Sequence, residues 1–174
     1  MGTSEGQWIK SAAVPSTISI REAAAVDAQA IGTVFDAAVR KGWTYLGDLA
    51  RQPMFPAQEW DRVIVDHASP NRLLVAQNGS RIVGFTAVHP PENEMFLLFV
   101  HPDQAGRGVG RVLLEAAHTA LRAAGCREAF LYTHEQNARA IAVYEAAGYR
   151  RDGTVRESDF RGVHLCEPRL VKSL

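Results

Sequence analysis

No apolar run in this 174-residue chain approaches the ~20 residues that a membrane-crossing helix needs, so no span is expected. Excess charge is missing too: 19 basic residues balance 19 acidic ones. Bulk electrostatics therefore point neither to nucleic acid nor to an anionic lipid surface. The first residues lack the charged, then apolar, then small pattern of a cleaved leader, so export by that route is not expected and the cytoplasm is the expected compartment. The only cysteines, Cys126 and Cys166, are too few for a disulfide framework and are expected to be two free, partly buried thiols in a reducing compartment. His67, His89, His101, His118, His134 and His164 are scattered, with no His-Glu-x-x-His and no Cys/His pair at zinc spacing, so no metal is expected.

What remains is ordinary globular composition, 47% apolar and 22% charged, at a length that suits one domain with a good core. Residues 1–16 hold Gly2, Thr3, Ser4, Gly6, Ser11, Pro15 and Ser16 with few apolar anchors, and are expected to form a flexible N-terminal arm. Residues 17–174 are expected to form the single domain.

The rest is organised around residues 96–111, Phe-Leu-Leu-Phe-Val-His-Pro-Asp-Gln-Ala-Gly-Arg-Gly-Val-Gly-Arg. Five apolar residues in a row suit a strand covered on both faces. Pro102 cannot continue a sheet ladder, so the strand ends near it. Gly106, Gly108 and Gly110 leave backbone N–H groups uncovered where a helix N-terminus points its own unpaired donors, and Arg107 and Arg111 add positive charge. Such a loop suits the phosphates of a cofactor. It is not a dinucleotide fingerprint, because Arg111 and Leu113 stand where a third glycine belongs, and no Gly-Lys-Ser/Thr follows as a Walker loop requires.

Around this stretch the periodicities predict an α/β chain. A short strand over 17–21 precedes a helix capped by Asp27, with Ile31, Val34, Phe35, Ala38 and Val39 on one face. Residues 41–55 break periodicity but carry Trp43, Tyr45 and Phe55. That segment is either a loop pinned to the core by its rings or a wall on the substrate side. Pro56 opens a second helix, with Trp60, Val63, Ile64 and His67 at helical spacing. Strands follow at 72–77, 81–89 and 94–100, the first two joined through the turn pair Asn78-Gly79. A helix over 109–124 ends at Gly125, a strand covers 128–133, and Asn137 caps a helix closed by Gly148. Strands at 149–156 and 163–171 finish the chain.

Two separate motifs resemble the GNAT N-acetyltransferases. Ala105-Gly106-Arg107-Gly108-Val109-Gly110 is similar to their acetyl-coenzyme A loop, Gln/Arg-x-x-Gly-x-Gly/Ala, with both glycines matched and Ala105 departing at the first position. Asn137-x-x-Ala140-x-x-x-Tyr144, followed by Gly148-Tyr149, resembles the helix that comes later in the same family. The resemblance covers residues 70–150 well, and the first helices by order of elements only.

The resemblance implies the GNAT fold, a central mixed and mostly antiparallel sheet flanked by helices, and acetyl-CoA as cosubstrate. It places the cosubstrate against Leu98, Phe99 and Val100 of a splayed fourth strand, against residues Ala105 to Arg111, and against Asn137, Ala140 and Tyr144. Tyr144 is expected as general acid for the departing thiolate. Glu94, four residues before Leu98, is expected as the base, with Glu92 and His134 in reserve or ordered water in its place. Trp43, Tyr45 and Phe55 are the expected substrate-binding residues. The implied activity is direct acetyl transfer to a primary amine of a small molecule, an amino-acid-like compound or an antibiotic. An acyl-CoA-binding or regulatory protein without turnover, and a protein or peptide N-acetyltransferase, are the alternatives. Neutral charge balance argues weakly against polycationic acceptors. Family members often pair as homodimers, and the sequence leaves that open.

Overall fold

Elements appear in nearly the predicted order. β1 (Ile18–Glu22) leads to α1 (Ala28–Gly42), a 3-10 segment over Thr44–Arg51 broken at Gly47, and α2 (Ala57–Asp66). β2 (Arg72–Asn78), β3 (Arg81–His89) and β4 (Glu94–Val100) follow. After them come α3 (Val109–Ala123), β5 (Glu128–Tyr132), α4 (Ala138–Ala146), β6 (Arg150–Phe160) and β7 (Val163–Ser173). The computed structural model describes residues 18–53, 55, 57–66 and 69–174; the expected arm over 1–16, Thr17, Pro56 and His67 lie outside them.

The seven strands form one sheet in the order β1-β2-β3-β4-β5-β7-β6. Every neighbouring pair is antiparallel except β4 with β5, so the sheet is mixed and mostly antiparallel, as expected. Side chains alternate across a strand, and β2 uses both phases. Leu73 and Val75 pack with Ile31, Val34, Phe35 and Trp60 of α1 and α2, whereas Leu74 joins Leu114 and Leu121 of α3 on the opposite face. Val75 and Phe85 are fully buried, each contributing about 1.5–3 kcal/mol by leaving water.

Gly84 of β3 lets α3 settle closely on the sheet. A Cβ there would stand 2.8 Å from the Phe99 carbonyl oxygen and 2.8 Å from Leu113 Cδ1.

Three local expectations are corrected. Asp27 stands at the N-cap position of α1, but its side chain makes no hydrogen bond to the helix. Its carboxylate accepts the Ala24 N–H at 2.8 Å and pairs with Arg21 at 2.6 Å, because the chain makes a tight turn over Ala25–Asp27 before the helix begins. The β2–β3 turn is Gly79-Ser80 rather than Asn78-Gly79. Asn78 pairs with Arg81, and Gly79 supplies the left-handed φ of 61°. The segment after α1 is not an irregular loop but short 3-10 turns that bury Leu46 and Ala50.

The fourth correction matters for function. β4 is not covered on both faces: Phe96 is 43% exposed, and residues 97–100 are half-buried. β5 meets β4 at one register pair, Glu94 with Phe130, and the two strands pair no further. On its other edge β4 carries a bulge. Ala87 faces Leu97 and Val88 faces Met95, which leaves Phe96 as the extra residue, and the Thr86 hydroxyl donates to the Leu97 carbonyl at 2.7 Å. The apolar run is therefore the lining of an opening in the sheet.

Candidate active site

One side of the β4–β5 opening is built by α3 and α4. Gly106 (φ 77°) and Gly108 (φ 85°) turn the chain through left-handed conformations that favour glycine, and Gly108 is the N-cap of α3. The N–H groups of Val109, Gly110 and Arg111 belong to the first turn and have no acceptor within the helix. Ala105, Gly106 and Gly110 line a cavity with Leu98, Phe99 and Val100 of β4, and with Asn137, Ala140 and Tyr144 of α4. Small side chains on that wall leave its backbone accessible, which fits an anionic group.

Not all of the expected loop faces this cavity. The Val109 side chain is buried with Ala76, Val83 and Leu113, so only its backbone is available. Arg107 and Arg111 are exposed and do not line the cavity. The Asn137 side chain accepts the Ala140 N–H at 3.3 Å, capping α4 while lining the opening.

Tyr144 stands between two cavities, lining this one and another bounded by Trp43, Leu98, His134, Arg156 and Glu167. It is almost fully buried, and burial pushes its hydroxyl up to about 12, so it carries its proton at neutral pH. Its ring lies edge-on to Tyr149, whose hydroxyl is 2.9 Å from Nε2 of the buried His118.

The other side is aromatic. Phe35, Trp43, Phe55, Trp60 and Phe99 line a cavity of about 380 Å³, with Arg156, Ser158 and Glu167 supplied by the β6–β7 hairpin. Trp43 borders all three spaces and packs against His134 at 4.5 Å between ring centres. Phe55 lines the aromatic cavity directly. Tyr45 does not line it; its hydroxyl instead lies 2.6 Å from His134 Nδ1. Burial raises the Tyr45 pKa well above its ordinary value, with the Glu167 charge adding to it. Burial lowers that of His134, against the opposing pull of Glu167, so the imidazole is neutral near pH 7.

Glu94 sits where β4 meets β5, 3.9 Å from His89 Nδ1, and lines none of these cavities. Burial raises its pKa, with Arg156 opposing the rise and the Glu92 and Glu167 charges adding to it. Glu92 does not line the cavities either.

Sequence reasoning missed Glu167, Arg156 and Ser158. Glu167 is 8% exposed; its Oε2 accepts from Arg156 Nε at 2.9 Å and Ser158 Oγ at 3.2 Å, and its Oε1 faces His134 Nε2 at 3.6 Å. A signal was present, because Glu167 shares the inward phase of β7 with the buried Leu165. Among the described residues no group of His, Cys, Asp and Glu is arranged to hold a metal, and no helix is long and apolar enough to cross a membrane.

A family model described as the acetyltransferase (GNAT) family matches residues 36–149. Mycothiol acetyltransferase of Geodermatophilus obscurus is 35% identical over 91 residues, covering 47% of this chain and 30% of that protein. The Kocuria rhizophila protein of the same name is 33% identical over 122 residues, covering 64% and 37%. The chain thus matches about a third of the length of these relatives. A GCN5-related N-acetyltransferase from Rhodopseudomonas palustris superposes with a TM-score of 0.72 at 22% identity, over 97% of this chain and all of that one. The yncA protein of Salmonella typhimurium, solved with its cofactor acetyl-CoA, superposes with a TM-score of 0.71 at 17% identity, over 91% and 94%. At these identities the two structures speak for the fold.

Proposed function

The chain belongs to the acetyltransferase (GNAT) family, and from that membership we propose that it is an acetyl-CoA-dependent N-acetyltransferase acting on a primary amine of a small molecule. The observation that carries the reading is the opening beside β4. One register pair ties β4 to β5, and beyond it Tyr144 borders both the glycine-lined cavity and the one that leads to the aromatic side. Residues 17–174 are taken as one catalytic unit.

Acetyl-CoA supplies an activated acetyl thioester. The first-turn amides of α3, with Ala105, Gly106 and Gly110, bind its phosphates. Leu98, Phe99 and Val100 offer an exposed strand edge to its arm, and Asn137 and Ala140 close the far wall. Tyr144, protonated and water-poor, gives its proton to the departing sulfur.

The acceptor arrives from the aromatic side, past Trp43 and Phe55. Near pH 7 only about one in a thousand alkylammonium groups of pKa ~10.4 is neutral, so a base is needed. The half-buried Glu94 and the buried Glu167 are the candidates, with His134 held neutral beside Glu167.

The free thiols Cys126 and Cys166 suit the reducing cytoplasm as its compartment. Pairing as a homodimer rests on family resemblance, and sedimentation equilibrium decides it. Thiol release from acetyl-CoA, scanned over amino acids, aryl amines, polyamines, aminoglycosides and short peptides, tests the function. Amine-dependent release supports transfer. Coenzyme A binding without release from any acceptor favours a binding protein, and absence of coenzyme A binding overturns the reading.

A further inference from the structure

We propose that the aromatic cavity is a subsite for a primary amine carried on a flat apolar body, and that Glu167 is the group that takes the amine's proton. This rests on the transfer reading above and names its acceptor class and base.

The walls argue for the body. Phe35 packs against Phe99 at 4.8 Å, Trp60 at 5.1 Å and Phe55 at 5.5 Å between ring centres, so the rings form one continuous apolar surface. A hydroxyl-rich or polycationic acceptor would leave most of its polar groups unpaired against these rings, which is costly. Phe55 and the bulged Phe96 are the most exposed rings of the lining, at 37% and 43%.

The polar groups argue for the amine. They are gathered on the hairpin side, and Glu167 is the carboxylate side chain that lines both the aromatic cavity and the cavity shared with Tyr144. Arg156 and Ser158 hold Oε2, and Arg156 is itself seated 4.2 Å above the Tyr132 ring. Oε1 accepts no hydrogen bond among the described residues and lies 3.6 Å from His134 Nε2. The Tyr45 hydroxyl engages the opposite ring nitrogen of His134, Nδ1, at 2.6 Å, which fixes the ring beside Glu167. A carboxylate fixed on one oxygen and open on the other is suited to receive an ammonium. Glu94 lacks that access, since it lines neither cavity.

In the step this implies, one ammonium proton passes to Glu167 and from there to solvent. The freed nitrogen lone pair forms the C–N bond to the acetyl carbon as the C–S bond breaks, and the sulfur takes a proton from Tyr144. The second nitrogen proton then returns to the Tyr144 oxygen through water. The sum is one amide, one free thiol and one released proton.

The test compares 2-phenylethylamine with ethanolamine and spermidine in the wild type, Glu167→Gln, Glu167→Asp and Glu94→Gln proteins. Wild type should favour 2-phenylethylamine by at least ~10-fold in kcat/KM, the scale on which an apolar pocket discriminates. Glu167→Gln should lower kcat about 100-fold while coenzyme A still raises its Tm, and should cost at least ~10-fold more than Glu94→Gln. Glu167→Asp, which keeps the charge one methylene short, should fall between wild type and Glu167→Gln. By calorimetry with coenzyme A bound, 2-phenylethylamine should bind wild type and at least ~10-fold more weakly to Glu167→Gln, as loss of a charged partner requires.

Preference for ethanolamine or spermidine overturns the acceptor class. A larger kcat loss in Glu94→Gln, or a Glu167→Gln kcat within about threefold of wild type, overturns the base, the expected loss being ~100-fold. Amine binding lost in Glu167→Gln, without turnover of any amine, sinks the transfer reading and keeps the subsite. Turnover of other amines without 2-phenylethylamine binding sinks the subsite alone.

Discussion

The hydroxyl of Tyr45 lies 2.6 Å from Nδ1 of His134, joining the 3-10 segment after α1 to the loop that follows β5, 89 residues along the chain. The contact ties the aromatic segment to that loop, and the Trp43 ring packs tilted against the same imidazole at 4.5 Å between ring centres. A segment that breaks helical and strand periodicity is thereby fixed beside the aromatic cavity that its Trp43 lines.

Tyr45→Phe should cost about 1–3 kcal/mol, because it leaves a ring nitrogen of the buried His134 without its partner while keeping the apolar ring. Urea unfolding of the two proteins checks this. A change within 0.3 kcal/mol would contradict a structural part for the hydroxyl, well under the ~1 kcal/mol of an ordinary hydrogen bond.

Tyr144→Phe should lower kcat by about 100-fold and leave coenzyme A affinity unchanged. The ring stays to pack on Tyr149, and only the proton donor is lost. Turnover measured beside calorimetric titration of coenzyme A separates these effects. Equal kcat in the two proteins would assign Tyr144 to packing.

Gly84→Ala should destabilise the fold by about 1–3 kcal/mol, the usual cost of overpacking. Its new Cβ meets a backbone carbonyl oxygen of β4 and a Leu113 methyl, both at 2.8 Å, and the carbonyl cannot move without shifting the strand. A drop in Tm with unchanged secondary-structure content is the expected observation.

Acid should weaken the fold through two buried imidazoles. Burial lowers the pKa of both His118 and His134; Lys172 and Arg122 push His118 further down, while Glu115 opposes, and Arg156 pushes His134 down against Glu167. The unfolded chain binds protons at these rings near pH 6.5, where the folded chain does not, so protonation favours unfolding. Their contribution is whole above about pH 7 and is lost as pH falls through 6.5 toward the folded values. Tm measured from pH 8 to 5 should fall on the acid side, and His118→Gln should flatten the fall. A Tm that rises toward pH 5 would contradict the assignment.

Local patterns carried the legible part of the structure. α3 and α4 follow from helical periodicity, Asn137 and the closing glycines Gly125 and Gly148. Strands β3 and β4 came within their true bounds for the same reason. Non-local pairing hid the rest. Five apolar residues look the same whether a neighbouring strand covers them or diverges after one pair, as β5 does. β7 begins at Val163, as apolar alternation indicates, but β6 runs to Phe160, past the expected end at residue 156, because β6 is exposed along much of its length. Glu167 drew no notice because its partners come from elsewhere: Arg156 and Ser158 across that hairpin, and His134 from beyond β5. Each of those is a polar residue with no motif of its own.

The central claim is direct transfer from acetyl-CoA to an amine seated between Glu167 and Tyr144. Mass spectrometry after mixing the protein with acetyl-CoA and 2-phenylethylamine tests it most directly, with free thiol counted in the same sample. Direct transfer yields N-acetyl-2-phenylethylamine and free coenzyme A in equal amounts, with no acetyl group left on the protein. Thiol released without acetylated amine, or an acetylated protein that accumulates before product, would contradict it.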